Sequence, residues 1–176
     1  MTAPGRPRLV VIVGPIAAGK STLAGEVGRR LRERGESVAV VGLDTVAEMA
    51  QPTVDWDWVH EVHAQLVGAW LATAVRTVVA EGPSTPAELD LLMRCVPGDV
   101  AVLTVVLVTR YAIALERALQ DSARGLSRDP DFLRADHDRF ERGRRHLPCD
   151  LALDGAVATP SVLAEHVVDT LDSYRR

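Results

Sequence analysis

Residues 14–22 read GPIAAGKST, and the lysine among them, Lys20, is the only one in the chain. Lys and Arg together number 20, and every other one is arginine; asparagine is absent. Phe, Tyr and Ile are scarce while Ala, Val, Arg, Gly and Leu abound, the balance expected of a GC-rich coding sequence. Under that pressure arginine replaces lysine wherever a surface charge suffices. A lysine that survives marks a place where a fork-shaped guanidinium does not fit and a compact ammonium on a thin stem does. The spacing names the place. Gly14, Gly19, Lys20 and Ser21 satisfy G-x-x-x-x-G-K-[ST], the phosphate-binding loop pattern.

The flanks agree with it. RLVVIV (8–13) is an apolar, β-branched run that reads as a buried parallel strand. STLAGEVGRRLRERG (21–35) has Leu23, Val27 and Leu31 at four-residue spacing, a helix that Gly35 ends. In the order strand, loop, helix, the loop from Gly14 through Pro15, Ile16, Ala17 and Ala18 to Gly19 is expected to form an anion nest from its backbone N–H groups, all but that of Pro15, which has none, with the helix N-terminus adding its positive end. Lys20 is expected to reach the β- and γ-phosphates of ATP and Ser21 to ligate Mg²⁺, with Thr22 beside them. A tight turn with an incidental lysine leaves the lone lysine unexplained.

The 176 residues suffice for one domain spanning the chain, with 1–7 as a flexible tail. A net charge of −4 offers nothing to recruit nucleic acid or an anionic membrane. MTAPGRPR is too short and polar for a signal peptide, so a cytoplasmic location is expected. Cys95 and Cys149 lie far apart without metal-ligand spacing and read as reduced, partly buried thiols.

Strands alternate with helices to the end. SVAVVGLD (37–44), TVVAEG (77–82), VAVLTVVLV (100–108) and CDLALD (149–154) read as four further strands. Helices are expected over 57–76 (around Val59, Leu66, Trp70 and Ala74), from Thr85 with a Thr85/Glu88 capping box, over 110–122 and 131–145, and from Pro160 to 173. Five apolar strands separated by helices mean an α/β fold with a parallel sheet covered on both faces. Ligands of such sheets sit at the carboxyl ends of strands, which singles out Asp44, Glu81 and Asp154. A GTPase base-recognition motif and a protein-kinase catalytic loop both need asparagine, and the chain has none.

The series GPIAAGKST, VVGLDTV, VVAEG, LVTRYAIALERALQDSARGLSRD and CDLALDGAVATPSVLAEHVVDTL resembles the adenylate-kinase-like group of P-loop kinases. Within it the chain is similar to chloramphenicol phosphotransferase and the zeta-toxin-like proteins. The resemblance implies the P-loop NTPase fold, a five-stranded sheet ordered 2-3-1-4-5 with a short lid, an ATP·Mg²⁺ donor and a small-molecule hydroxyl acceptor. An antibiotic or secondary metabolite, hence antibiotic resistance, is the favoured acceptor reading. A nucleoside, nucleotide or sugar kinase and a nucleotide-binding regulatory module are the alternatives, and monomer and homodimer both stay open.

By position, Asp44 matches the acid those kinases hold beside the acceptor hydroxyl, as base or Mg²⁺ ligand; otherwise it caps a helix. Glu81 stands where a magnesium-shell acid is expected, though Asp is commoner there, which leaves a substrate-binding role open. Arg124 and Arg128, with Arg117, fall where the family closes arginines over the phosphates; a solvated helix face is the plainer reading. Asp154 falls near the adenine. In PTVDWDWVHEVH (52–63), Trp56 and Trp58 read either as an aromatic wall for a ring-bearing acceptor or as a hydrophobic plug. HEVH lacks the H-E-x-x-H spacing of a zinc site.

Overall fold

The computed structural model describes residues 6–52, 55–122 and 125–173. Strand β1 (Arg8–Val13) is buried at all six positions. A strand covered on both faces needs no polar alternation, and this one has none. It pairs in parallel with β3 (Thr77–Glu81) on one side and β4 (Ala101–Val108) on the other. β2 (Val38–Gly42) lies outside β3 and β5 (Leu151–Asp154) outside β4, which gives the expected order β2-β3-β1-β4-β5.

Seven helices join or flank the strands among the described residues: α1 (Lys20–Glu33), α2 (Leu43–Glu48), α3 (Trp56–Leu71), α4 (Pro86–Met93), α5 (Tyr111–Gln120), α6 (Pro130–Arg144) and α7 (Pro160–Ser173). The pleat of β1 divides the core. Leu9, Val11 and Val13 meet Val59 and Val67 of α3, Leu89 and Leu92 of α4, and Phe140 of α6. Val10 and Ile12 meet Leu23, Val27 and Leu31 of α1 and Leu163, Val167 and Leu171 of α7. Truncating a fully buried leucine here to alanine costs about 2–5 kcal/mol. Among the described residues no helix is long and apolar enough to cross a membrane.

Several local expectations are corrected. β2 ends at Gly42, so Asp44 neither closes a strand nor caps a helix; it sits in the first turn of α2 behind Gly42. α3 stops at Leu71 because the Thr73 hydroxyl takes up the Trp70 carbonyl at 2.7 Å and then accepts from Val75 N–H. Its buried stripe is Val59, His63, Ala64, Val67 and Leu71, which leaves Trp70 40% exposed. Cys149 is exposed rather than partly buried, and Cys95 is half-buried. Residues 6 and 7 are tied down, since Arg6 donates to the Asp99 carbonyl and Ala101 N–H to that of Pro7. The expected flexible tail otherwise falls on residues 1–5, outside the described residues.

Candidate active site

The loop between β1 and α1 leads into a helix without a side-chain cap. The α1 N-cap is Gly19, at φ 99, with no side-chain cap and no acid in the first turn. α3, α4 and α6 are capped by Asp55, Thr85 and Asp129, whereas α1, like α2 and α5, has no side-chain cap. Ala17 holds φ 60, a strained setting for a residue with a Cβ and one that turns successive N–H groups the same way. Lys20 folds back over the loop, its Nζ donating to the carbonyls of Gly14 at 2.8 Å and Pro15 at 3.0 Å. Desolvation pushes the Lys20 ammonium below its ordinary range, and Glu81 leads Asp136, Asp44 and Glu88 in opposing that shift. Ser21 and Thr22 follow it on the exposed rim of α1.

Two other parts of the chain hold the loop in shape. Arg117 of α5 donates to the carbonyls of Ala18 at 3.3 Å and Gly155 at 2.7 Å, joining the loop to the turn after β5. Asp154 shapes that turn by accepting from Ala156 N–H at 2.8 Å. On the other flank, Asp136 and His137 of α6 grip Ile16: the carboxylate accepts from its N–H at 2.8 Å and the imidazole Nε2–H donates to its carbonyl at 3.0 Å. Asp136 is buried and also accepts from Arg139 at 2.6 Å. The Tyr111 ring meets His137 edge-on, with centroids 5.7 Å apart, and Arg134 lies over it at 3.4 Å.

Facing Lys20 across the cleft are the acids. Glu81 ends β3, is 6% exposed, and accepts no hydrogen bond at its carboxylate among the described residues. Its Oε1 lies against Gly42, 2.8 Å from where a Cβ would stand. Burial pushes its carboxyl above the usual range, Lys20 pulls it down, and Asp44 adds to the rise. Asp44 is exposed at the mouth. Glu88 accepts from Ser84 and Thr85 N–H, completing the expected capping box, and its other oxygen lies 4.0 Å from His60 Nε2.

The expected residues therefore divide. Asp44 and Glu81 lie within electrostatic reach of Lys20, which Ser21 follows in α1, and Arg117 and Asp154 both bond the turn after β5. Arg128 ends an exposed 3₁₀ turn (Leu126–Arg128) that fills part of the expected lid. Arg124 lies outside the described residues. Trp56 is 48% exposed at the start of α3, while Trp58 packs against the core beneath it. Asp136 and His137 escaped the sequence reading, though a signal was there: they interrupt the apolar spacing Leu133 to Phe140 with buried polar groups.

No family model matches the chain, and no curated protein matches it in sequence. Solved structures resemble it in fold. A Mycobacterium tuberculosis APS kinase in complex with AMPPNP and APS is 20% identical, with a TM-score of 0.71 over 95% of this chain and 98% of that one. A shikimate kinase from Acinetobacter baumannii in complex with shikimate is 17% identical, with a TM-score of 0.66 over 96% and 94%. A gluconokinase from Sinorhizobium meliloti 1021 is 17% identical, with a TM-score of 0.63 over 96% and 93%. At these identities the likeness establishes the fold, the one used by these P-loop kinases of small molecules.

Proposed function

We propose that the protein is an ATP- and Mg²⁺-dependent kinase that phosphorylates a hydroxyl of a small molecule. The observation that carries this is an α1 without a side-chain cap whose first residue, the desolvated Lys20, lies within electrostatic reach of the buried Glu81 and the exposed Asp44. Lys20 bonds the donor's outer phosphates once it leaves the Gly14 and Pro15 carbonyls, and Arg117 flanks the nucleotide. Ser21 and Asp44, with Glu81 beside them, form an oxygen donor set that suits Mg²⁺. Bound there, the metal neutralises charge on the phosphates. Asp44 takes the acceptor's proton as the acceptor oxygen bonds the γ-phosphorus and the bridge to ADP breaks. Arg128 and Arg124 are the residues proposed to close over the transferred group.

The favoured acceptor is an antibiotic or related secondary metabolite, as in the chloramphenicol phosphotransferases that the motifs resemble. The half-exposed Trp56 supports a ring-bearing acceptor.

Two variants test the reading. Lys20→Arg keeps the charge, yet the broad guanidinium cannot enter the loop, so transfer is nearly abolished. Asp44→Asn leaves ATP affinity within a few-fold and lowers turnover by roughly a hundredfold. Transfer at the parent rate in Lys20→Arg overturns the assignment of the loop. Parent turnover in Asp44→Asn removes Asp44 from the chemistry.

A further inference from the structure

The turn between β1 and α1 is held in its less favourable form. Ala18 N–H donates to the Pro15 carbonyl at 3.3 Å, which closes a turn over Pro15, Ile16, Ala17 and Ala18. Ala17 holds φ 60 and is the one non-glycine residue at positive φ among the described residues. Positive φ at the third position alone defines a type II turn, where glycine is the usual occupant. A type I turn differs from it in the central peptide, here Ile16–Ala17, which is turned over. An alanine left to itself prefers type I, because its Cβ opposes positive φ.

His137 bonds that central peptide. Its Nε2–H donates to the Ile16 carbonyl at 3.0 Å, and the residue is buried. The edge-on Tyr111 ring fixes the imidazole in turn, and the Tyr111 hydroxyl donates to the Pro130 carbonyl at 2.9 Å. A trans peptide points its C=O and N–H in opposite directions, so Ala17 N–H faces away from His137. Most other N–H groups of the loop are spent inside the fold. Gly14 donates to the Pro83 carbonyl at 3.2 Å, Ala18 to Pro15, and Ile16, expected to line the nest, to Asp136 instead. Ala17 and Gly19 N–H find no acceptor among the described residues, so they are the donors that the loop has left for an anion.

We infer that His137 is a positioning residue for the nucleotide: by holding the Ile16 carbonyl it keeps the turn in type II and Ala17 N–H turned toward the donor's phosphates. The inference rests on the kinase reading above and adds a residue from α6 that the loop motif does not contain. Without that bond the central peptide turns over, Ala17 relaxes to negative φ, and a carbonyl stands where the N–H stood. A carbonyl repels a phosphate oxygen, so the nucleotide then binds only the minor form of the turn.

The test is calorimetric titration of a non-hydrolysable ATP analogue, with Mg²⁺, into the parent and its variants. His137→Leu fills space without a donor and is expected to weaken binding about tenfold, the order of the penalty that positive φ carries for a residue with a Cβ. His137→Gln keeps an N–H within reach of the Ile16 carbonyl and is expected to bind within about threefold of the parent. Ala17→Gly removes the penalty, so adding it to His137→Leu is expected to recover at least about threefold of the loss. A merely structural role for His137 gives the reverse, since another glycine loosens the loop further. Parent-like affinity in His137→Leu, equal losses in the leucine and glutamine variants, or no recovery with Ala17→Gly overturns the inference and leaves the kinase reading standing. His137→Asn, whose amide stops short of that carbonyl, is expected to match His137→Leu and takes its place if the leucine variant does not fold. A parent that binds no analogue overturns both readings.

Discussion

The Asp136 carboxylate on α6 accepts the backbone N–H of Ile16 at 2.8 Å, so the helix that follows the arginine-bearing segment is bolted to the phosphate loop. Asp136 is 4% exposed, so water does not readily take its place. The bond therefore constrains the backbone of the loop proposed to hold phosphate.

Removing that bolt is expected to loosen the loop. Asp136→Ala leaves the Ile16 N–H unsatisfied, at a cost of about 1–3 kcal/mol in stability. It also weakens nucleotide binding about tenfold, as read by calorimetric titration with a non-hydrolysable ATP analogue. Asp136→Asn keeps an acceptor oxygen and falls between the two. Parent-like nucleotide affinity in the alanine variant would show that α6 does not shape the loop.

Glu81 sets activity against stability. Burial raises its folded pKa above the unfolded value, so the folded state holds its proton more firmly. The stability it contributes is present below the ordinary glutamate pKa and is lost as pH rises through the folded value. Glu81→Gln is therefore expected to raise Tm at neutral pH by about 2–4 °C, the shift that 1 kcal/mol produces in a domain of this size. The gain shrinks on acidification toward the ordinary glutamate pKa, and phosphoryl transfer is lost at every pH. A Tm gain that does not depend on pH would trace it to packing instead.

Gly42 offers a way to move Glu81 without replacing it. At φ −97 and ψ 138 an alanine is unstrained, but its methyl carbon lands 2.8 Å from Glu81 Oε1. That oxygen ends a flexible side chain and swings aside cheaply. Gly42→Ala is expected to leave Tm within about 2 °C while lowering kcat/KM about tenfold or more. Unaltered kinetics would mean that the position of the Glu81 carboxylate is immaterial.

The tryptophans are expected to separate by depth. Trp58→Ala removes a ring packed on the core and costs about 2–3 kcal/mol. Trp56→Ala and Trp70→Ala remove rings 48% and 40% exposed and cost less than about 1 kcal/mol each. Only Trp56→Ala is expected to raise the acceptor KM. Should Trp56→Ala lower Tm as much as Trp58→Ala and spare the acceptor, both rings belong to the plug.

What the sequence made legible follows the strength of local signals. The strands and the loop were readable because uninterrupted apolar runs and a four-position motif leave few alternatives, while the sheet order came only from the resemblance to the adenylate-kinase-like group. The stripe of α3 was misread because Leu66 and Trp70 are as apolar as Val59 and Val67, and hydrophobicity alone does not choose between two faces a quarter-turn apart. Packing against β2 and β3 chooses. Asp136 and Glu88 joined the site unannounced because proximity to Lys20 is a product of tertiary folding across 116 and 68 positions of chain, which no local pattern encodes.

A chain with one lysine has a chemical address that most proteins lack. Apart from the α-amino group, an acylating reagent finds a single primary amine, and it is the one proposed to bind the donor's phosphates. Desolvation favours the unprotonated, nucleophilic form of that amine, while its bonds to the Gly14 and Pro15 carbonyls hold it in the loop. Labelling at this position is thus a direct report of whether the loop is filled. An activated ester carrying a dye or a cross-linker turns occupancy into a mass or fluorescence readout without any engineered tag, and nucleotide supplies its own control by shielding the amine.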